Sequence, residues 1–194
     1  MPLPMAIRLL VVAFFVFYVG SESGYGGWIS SYVLRRGVVD TKNQAAFVAS
    51  VYWGGLTAGR LLAIPVAIVL STSTHLKAQL VQTVVGVALC LTILDNSYSS
   101  ACVASVVYSF ALSSIFPLAL TVVQDYGLET DASATASFIF ASCVGDAFMP
   151  VVVGLLMEGI SPVALPWAMA FFATMLIMCY VAIAIRSGHY HSKQ

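Results

Sequence analysis

The sequence predicts an all-α membrane protein with six helices that each cross a lipid bilayer. Of its 194 residues, 60% are hydrophobic and only 8% are charged, and the mean hydropathy is +0.96. A soluble domain carries about 25% charged residues, so the charges here are too few to cover a water-facing surface. Long apolar stretches recur along the chain, each near the roughly 20 residues that span a bilayer. Lipid is therefore the expected surrounding of most of this protein.

Six segments meet this length requirement, and short polar stretches separate them. Connections this short make consecutive helices antiparallel neighbours, and an even number of helices places both termini on one side. The separating stretches read RRGVVDTKN, STSTH, DNSYS, DYGLETD and EGISP, and the chain ends in the tail RSGHYHSKQ. The whole chain, 1–194, is thus predicted as a single transmembrane domain with helices over 6–34, 44–70, 76–94, 99–124, 132–157 and 162–185.

The first segment needs to be distinguished from a secretory signal. Its apolar run IRLLVVAFFVF continues past the length of a signal core, and no clean cleavage box follows, so it is predicted to remain as a helix. The second, fourth and fifth segments contain Pro65, Pro117 and Pro150, which each remove a backbone hydrogen bond and predict a kink. Glycines along the second segment permit the close approach of a neighbouring helix.

Three charged residues lie deep inside apolar segments: Glu22 in the first, Arg60 in the second and Asp146 in the fifth. A charge at the centre of a spanning helix costs about 2.5–3.5 kcal/mol on insertion scales, so it normally faces the bundle interior or a wet cavity. One interpretation is a structural ion pair that joins helices, and the other is a pathway for a polar solute or coupling ion. The two overlap, because transporters use internal pairs as gates. We expect Arg60 to pair with Glu22 or Asp146.

Helical spacing groups these charges with aromatic and hydroxyl side chains. Residues three or four positions apart share one face of a helix. Aromatic planes beside hydrogen-bonding groups suit a sugar, which has apolar CH faces and a hydroxyl rim, although aromatic stripes also serve packing. The stripes are Tyr18, Glu22, Tyr25, Ile29 and Tyr32; Trp53, Thr57 and Arg60; Ser142, Asp146 and Pro150; and Ser105, Ser109 and Ser113.

The sequence argues against several other function classes. Eight basic and eight acidic residues balance, and no basic tract indicates a nucleic-acid partner. The four cysteines are scattered through apolar runs without a CxxC pair, so neither a metal site nor a disulfide framework is expected. A rhomboid-type protease needs a GxSG pattern and a membrane histidine, whereas all three histidines are predicted in loops or the tail. An aspartyl protease needs two membrane aspartates, and Asp146 has no convincing partner. We therefore predict no enzyme activity and no cofactor.

Four stretches resemble one family of transporters. The run YVGSESGYGGWISSY resembles the seventh helix of major facilitator transporters of the fucose permease type, above all the branch called sodium-dependent glucose transporter-like or major facilitator domain-containing protein four-like. YWGGLTAGR (52–60), SSIFPLALT (113–121) and SCVGDAFMPVVVG (142–154) are similar to the eighth, tenth and eleventh helices. The resemblance implies the C-terminal six-helix half of a twelve-helix fold. It assigns sodium or proton coupling to no residue, because the family's coupling acids lie in the other half.

The sequence thus favours secondary transport of a small polar solute, above all a monosaccharide, by the C-terminal half of such a transporter. The alternative is a truncated half that transports nothing and acts in membrane assembly or regulation, or is an inert fragment. The expected partners are the bilayer, the solute, and either the missing N-terminal half or a second copy of the chain. Lys and Arg favour cytoplasmic termini by four residues to three, and the plasma membrane is the expected location. The residues expected to bind solute are Glu22, Tyr25, Trp28, Trp53 and Asp146, and Arg60 is expected to form a charge pair or gate.

Overall fold

A computed structural model describes residues 4–125 and 131–191, and over these ranges the chain is helical without a strand. The described residues form six spans that are long and apolar enough to cross a membrane, which confirms the predicted fold class. Five spans are single helices, and the fourth is divided into two. The helices are α1 (Met5–Arg35), α2 (Lys42–Val69), α3 (Thr72–Thr92), α4 (Tyr98–Leu112), α5 (Ile115–Asp125), α6 (Ala132–Gly159) and α7 (Ala164–His191).

Polar caps determine where several helices begin, and one of them corrects a prediction. Ser71 accepts a hydrogen bond from the Thr74 backbone N–H, which satisfies a donor that the first turn of α3 leaves free. The helix therefore begins at residue 72 instead of 76, and His75 lies buried in its first turn. The prediction that the histidines lie in loops or the tail is wrong for His75, because the polar stretch STSTH is a helix start.

The end of the chain also differs from the prediction. α7 continues to His191, although a tail was expected from residue 186, and no proline interrupts its backbone hydrogen bonds there. His189 and His191 therefore belong to a helix as well. Most of the predicted break DYGLETD, residues 126–130, lies outside the described residues, as do residues 1–3 and 192–194.

The helix α1 forms the centre of the bundle. It packs along α6 and α7 and also contacts α2, while α4 packs against both α2 and α3. Glycines make two of these contacts close: a β-carbon at Gly145 of α6 would meet the backbone of Val16, and one at Gly59 of α2 would meet Ser113. The glycine face of the second span therefore packs on the serine stripe of the fourth.

Three buried tyrosines form a polar centre within this bundle. The rings of Tyr52 and Tyr108 lie 4.9 Å and 5.0 Å from the ring of Tyr25, measured between centroids. A buried hydroxyl without a hydrogen bond is costly, so each needs a partner. The Tyr25 hydroxyl shares a 2.9 Å hydrogen bond with Ser105, and Tyr52 donates to the backbone carbonyl of Glu22 at 2.9 Å. This tyrosine centre therefore holds α1 against α2 and α4 at the turn that carries Glu22.

Candidate functional site

Side-chain hydrogen bonds connect α2, α1 and α6 at the three interior charges. Arg60 forms an ion pair with Glu22, with 2.9 Å between Nη2 and Oε1. Ser23, the next residue of α1, donates a hydrogen bond to the carboxylate of Asp146. We call these four residues the polar row. Of the two partners expected for Arg60, the structure has Glu22, because α1 separates Arg60 from Asp146 on α6.

One side of the polar row is open. The side chain of Arg60 is 53% exposed, that of Glu22 only 14%, and Asp146 is exposed. Trp53 lies two turns before Arg60 on the same face of α2, and its indole covers Gly26, where a β-carbon would overlap it. We call the surface formed by Trp53, Arg60, Glu22 and Asp146 the open face. It combines an aromatic plane with two carboxylates and a guanidinium.

Both carboxylate oxygens of Glu22 are held in place. Oε1 accepts from Arg60, and the Tyr18 hydroxyl lies 2.6 Å from Oε2. Hydrogen bonds to an ionised carboxylate are short and stronger than neutral ones. The carboxylate therefore has a fixed orientation before any solute arrives.

Beside the polar row, the fourth span is broken at Ser113 and Ser114. Pro117 has no N–H, and in a continuous helix that N–H would bond the Ser113 carbonyl four residues earlier. Arg60 supplies a replacement donor, because its Nε donates to the Ser113 carbonyl at 3.2 Å. The same guanidinium thus binds Glu22 and caps the end of α4.

The carbonyls just before Ser113 have side-chain donors too. The last four carbonyls of a helix have no partner inside the helix. Tyr18 has one hydroxyl hydrogen, which is shared between the Glu22 carboxylate at 2.6 Å and the Leu112 carbonyl at 3.1 Å. The amide nitrogen of Gln79, in the orientation that its neighbours require, donates to the carbonyls of Phe110 and Ala111. Donors from α1, α2 and α3 therefore converge on one helix end, which we call the capped break.

The structure separates the predicted solute contacts into two groups. Glu22, Trp53 and Asp146 belong to the open face. Tyr25 is fully buried in the tyrosine centre, and Trp28 is half-buried with its Nε1 donating to a backbone carbonyl of α6 at 2.7 Å. Tyr25 therefore does not border the open face in this arrangement. The role of all five residues as solute contacts stays a prediction.

Sequence reasoning missed two members of this region, Ser23 and Gln79. Neither is charged, and serine and glutamine are ordinary residues of a spanning helix, so no pattern singles them out. The only local signal is Pro117, which marks the carbonyl four residues earlier as one that needs a new donor.

A second ion pair lies where α1 and α3 end. Arg36 donates to Asp95 from Nε at 3.0 Å and from Nη2 at 2.7 Å, and Tyr32 donates to the other carboxylate oxygen at 2.7 Å. Hydrogen bonding to the carboxylate raises the pKa of Arg36, so this residue stays charged at every working pH. The pair fastens the C-terminal end of α1 to the connection between α3 and α4.

Over residues 4–125 and 131–191, no group of three or more His, Cys, Asp or Glu side chains is arranged to hold a metal ion. The side chains of the open face offer hydrogen bonding, ion pairing and aromatic contact to a polar solute.

These features define an integral, multi-pass membrane protein with ionised groups inside its spans. The chain is 32% identical over 151 residues to sodium-dependent glucose transporter 1A of Mus musculus, and 34% over 140 residues to sodium-dependent glucose transporter 1 of Danio rerio. It is 27% identical over 139 residues to major facilitator superfamily domain-containing protein 4A of Xenopus tropicalis. The homologues of this chain are thus proteins of the major facilitator superfamily, a family of transporters that is not enzymatic, and the resemblance read from the sequence is confirmed.

The matches cover most of this chain but a minor part of each relative. They include 78%, 72% and 72% of the chain, and 35%, 23% and 27% of the three relatives. The chain thus spans about a quarter to a third of the length of the curated proteins it matches. No family model matches the chain, and no solved structure matches it.

Proposed function

We propose that this chain forms one wall of a transmembrane pathway for a monosaccharide, as the C-terminal half of a secondary transporter. The observation that carries the proposal is the polar row, in which ionised groups lie open to one side in the middle of apolar spans. Such groups are costly in lipid and are typical of solute and ion pathways. Four relatives carry the name sodium-dependent glucose transporter, which supports a hexose as the solute.

The open face suits a hexose by its chemistry. The Trp53 indole offers a plane for the CH face of a sugar, and the carboxylates of Glu22 and Asp146 accept hydrogen bonds from sugar hydroxyls. A hydroxyl that bonds Glu22 competes with Arg60, and Arg60 also holds the Ser113 carbonyl at the capped break. Solute binding would thereby loosen the contact between α2 and α1 while the contact of Arg60 with the Ser113 carbonyl stays, so that α2 could move relative to α1 as a change of access requires.

The second wall comes from an N-terminal half or from a second copy of the chain. Uptake of labelled D-glucose into proteoliposomes tests this directly, with the chain alone and with the chain co-reconstituted with the N-terminal half of a relative. We expect uptake in at least one preparation, and replacement of sodium by choline at constant pH then tests sodium dependence. If the folded chain takes up no hexose in either preparation, the proposal fails, and a role in membrane assembly or regulation is favoured instead.

A pair of acidic variants tests the open face. Asp146→Asn removes an exposed carboxylate from the polar row, and we expect glucose uptake to fall about tenfold, the loss of one good hydrogen bond to a charged group. The matched control is Glu158→Gln at the end of α6, where the carboxylate lies 3.7 Å from Arg35 and 63% exposed, away from the polar row. An equal fall in both variants would contradict a specific role for the row.

The proposed location is the plasma membrane with both termini in the cytoplasm. An epitope added after residue 194 should bind antibody only in permeabilised cells. Binding in intact cells would reverse the proposed orientation.

A further inference from the structure

A cleft opens between α2 and α5 on the side of the capped break that faces the connection between α2 and α3. α2 packs much more closely on α4 than on α5, so space remains beyond the break. Two adjoining cavities of about 370 and 410 Å³ share Arg60, Ala63, Ser114 and Pro117 as lining residues. Thr72 and His75, in the first turn of α3, line the cavity of about 370 Å³ and not the other one.

The imidazole of His75 is the unexplained feature of this cleft. The residue is only 5% exposed, and its Nδ1 is buried without a hydrogen-bond partner among the described residues. Buried polar atoms in folded proteins nearly always have a partner, and an exception indicates a missing water, ion or ligand. His75 also lines the cleft, so a polar group bound there becomes the missing partner once a small rotation of the imidazole turns Nδ1 toward it.

The lining favours an uncharged ligand that is rich in hydroxyl groups. Arg60 is already paired with Glu22, and the described lining of the cleft contains no carboxylate. An imidazole and a hydroxyl can each donate and accept, which matches the two roles of a sugar hydroxyl. A cavity of this volume lies in the range that holds small organic ligands. The polar lining groups are Thr72, His75, Ser114 and Thr121, and the apolar ones include Ala63, Ile64, Ala67 and Pro117.

We propose that this cleft is a second solute site, which binds an uncharged polyhydroxylated molecule of hexose size and is separate from the open face. The identity of the solute rests on the proposed function. Arg60 borders both sites, so a solute that leaves the open face toward the connection between α2 and α3 reaches the cleft next. His75 would then bind a hydroxyl of the solute during its passage.

Magnetic resonance of the histidines tests this site in the whole chain in lipid nanodiscs. The chain has three histidines, and His75→Gln identifies the imidazole signal that belongs to His75. We expect D-glucose to shift this signal saturably, and inorganic phosphate to leave it unchanged. Thr121→Val should raise the half-saturating glucose concentration about three- to tenfold, the expected effect of one lost hydrogen bond.

The matched control is Thr174→Val. Thr174 of α7 is an exposed threonine that donates to the carbonyl four residues earlier, as Thr121 does, but it does not line the cleft. The control should leave glucose binding unchanged. An equal effect of the two threonine variants, or a shift with phosphate but not with glucose, would overturn the proposal.

A second readout separates this proposal from the proposed function. This readout is the change in tryptophan fluorescence on addition of glucose. The part of the change that is lost in Trp53→Phe reports on the open face. If Trp53 responds and His75 does not, the cleft proposal is overturned and the open face stands. If His75 responds and Trp53 does not, the cleft stands and the open face fails as a binding site. If neither responds in the folded chain, both fail.

Discussion

Two ion pairs in this protein have similar hydrogen bonds but different surroundings. Arg36 and Asp95 meet at the ends of helices with two hydrogen bonds of 3.0 and 2.7 Å, and each side chain is more than a third exposed. Arg60 and Glu22 meet in the middle of the spans with one hydrogen bond of 2.9 Å, and Glu22 is 14% exposed. We call Arg36–Asp95 the outer pair and Arg60–Glu22 the inner pair. If hydrogen bonds between the partners alone set the strength of a pair, the outer pair would be the stronger one.

The surroundings make the inner pair contribute more to stability than the outer pair. An exposed pair contributes about 0–1 kcal/mol to stability, because water competes for both charges. Removal of one partner from a buried pair costs about 3–5 kcal/mol, because the other charge is left without compensation. Arg60 also caps the Ser113 carbonyl, so the inner pair is joined to the break in the fourth span. The inner pair therefore links charge, helix geometry and the open face, whereas the outer pair only fastens two helix ends.

Replacement of Arg60 by methionine should have the largest effect. It leaves Glu22 without a cation and the Ser113 carbonyl without its donor. We expect the free energy of unfolding to fall by about 3 kcal/mol, at the low end for broken buried pairs because Arg60 is half exposed. Unfolding in mixed detergent micelles, followed by circular dichroism, measures the change. Arg36→Met is the comparison, and an equal loss in both variants would remove the contrast between the two pairs.

Replacement of Glu22 by glutamine should have the next largest effect. Glutamine keeps the shape and one acceptor but removes the negative charge, so we expect a loss of about 1.5–3 kcal/mol in the free energy of unfolding. A double-mutant cycle of Glu22→Gln with Arg60→Met isolates the coupling between the two, which should exceed about 1 kcal/mol. The matching cycle at Arg36 and Asp95 should give less. Additive effects at the inner pair would show that the two inner charges act independently.

The features that sequence could predict are local ones. Hydropathy located all six spans, and helical spacing placed Trp53 and Arg60 on one face of α2, because both signals depend on residues a few positions apart. The same reasoning restricted the partner of Arg60 to two carboxylates, since a charge inside a span needs a partner and few exist.

The capped break could not be predicted, because its donors come from three other helices. Gln79 and Tyr18 meet carbonyls 31 or more residues away in the chain, and only the packed bundle brings them together. Helical spacing predicts that Tyr25 and Glu22 share one face of α1. It does not predict that this face is fully buried at Tyr25 and partly exposed at Glu22. The sequence predicts a loop for the polar stretch before His75, because a helix cap and a loop have the same composition.

Replacement of Pro117 by alanine sharpens the contrast by separating the two roles of Arg60. Alanine restores an N–H that can bond the Ser113 carbonyl, so the cap from Arg60 is no longer needed. Arg60→Lys keeps the charge but lacks the forked guanidinium, and we expect Pro117→Ala to recover about 1 kcal/mol of the stability that Arg60→Lys loses. Pro65→Ala in α2 is the matched control and should recover nothing. If Pro117→Ala and Pro65→Ala recover the same amount of stability in Arg60→Lys, then capping of the Ser113 carbonyl is not a separate contribution of Arg60.

Replacement of Asp95 by asparagine should have the smallest effect and the clearest dependence on salt. We expect a loss of about 0.2–1 kcal/mol in the free energy of unfolding, as for other exposed pairs. The loss should shrink as salt rises, because the screening length falls from about 10 Å at 0.1 M to about 3 Å at 1 M.

The loss of stability in Glu22→Gln should hardly change over the same range of salt. Dissolved ions screen a carboxylate that is mostly buried between helices much less than an exposed one. Unfolding of the wild type and both variants at 0.1 and 1 M salt measures the two responses. Equal sensitivity to salt would show that water reaches the polar row as freely as it reaches the helix ends. The difference between the inner and the outer pair would then rest on the Ser113 cap alone, and Arg60→Lys would have to account for nearly all the loss seen in Arg60→Met.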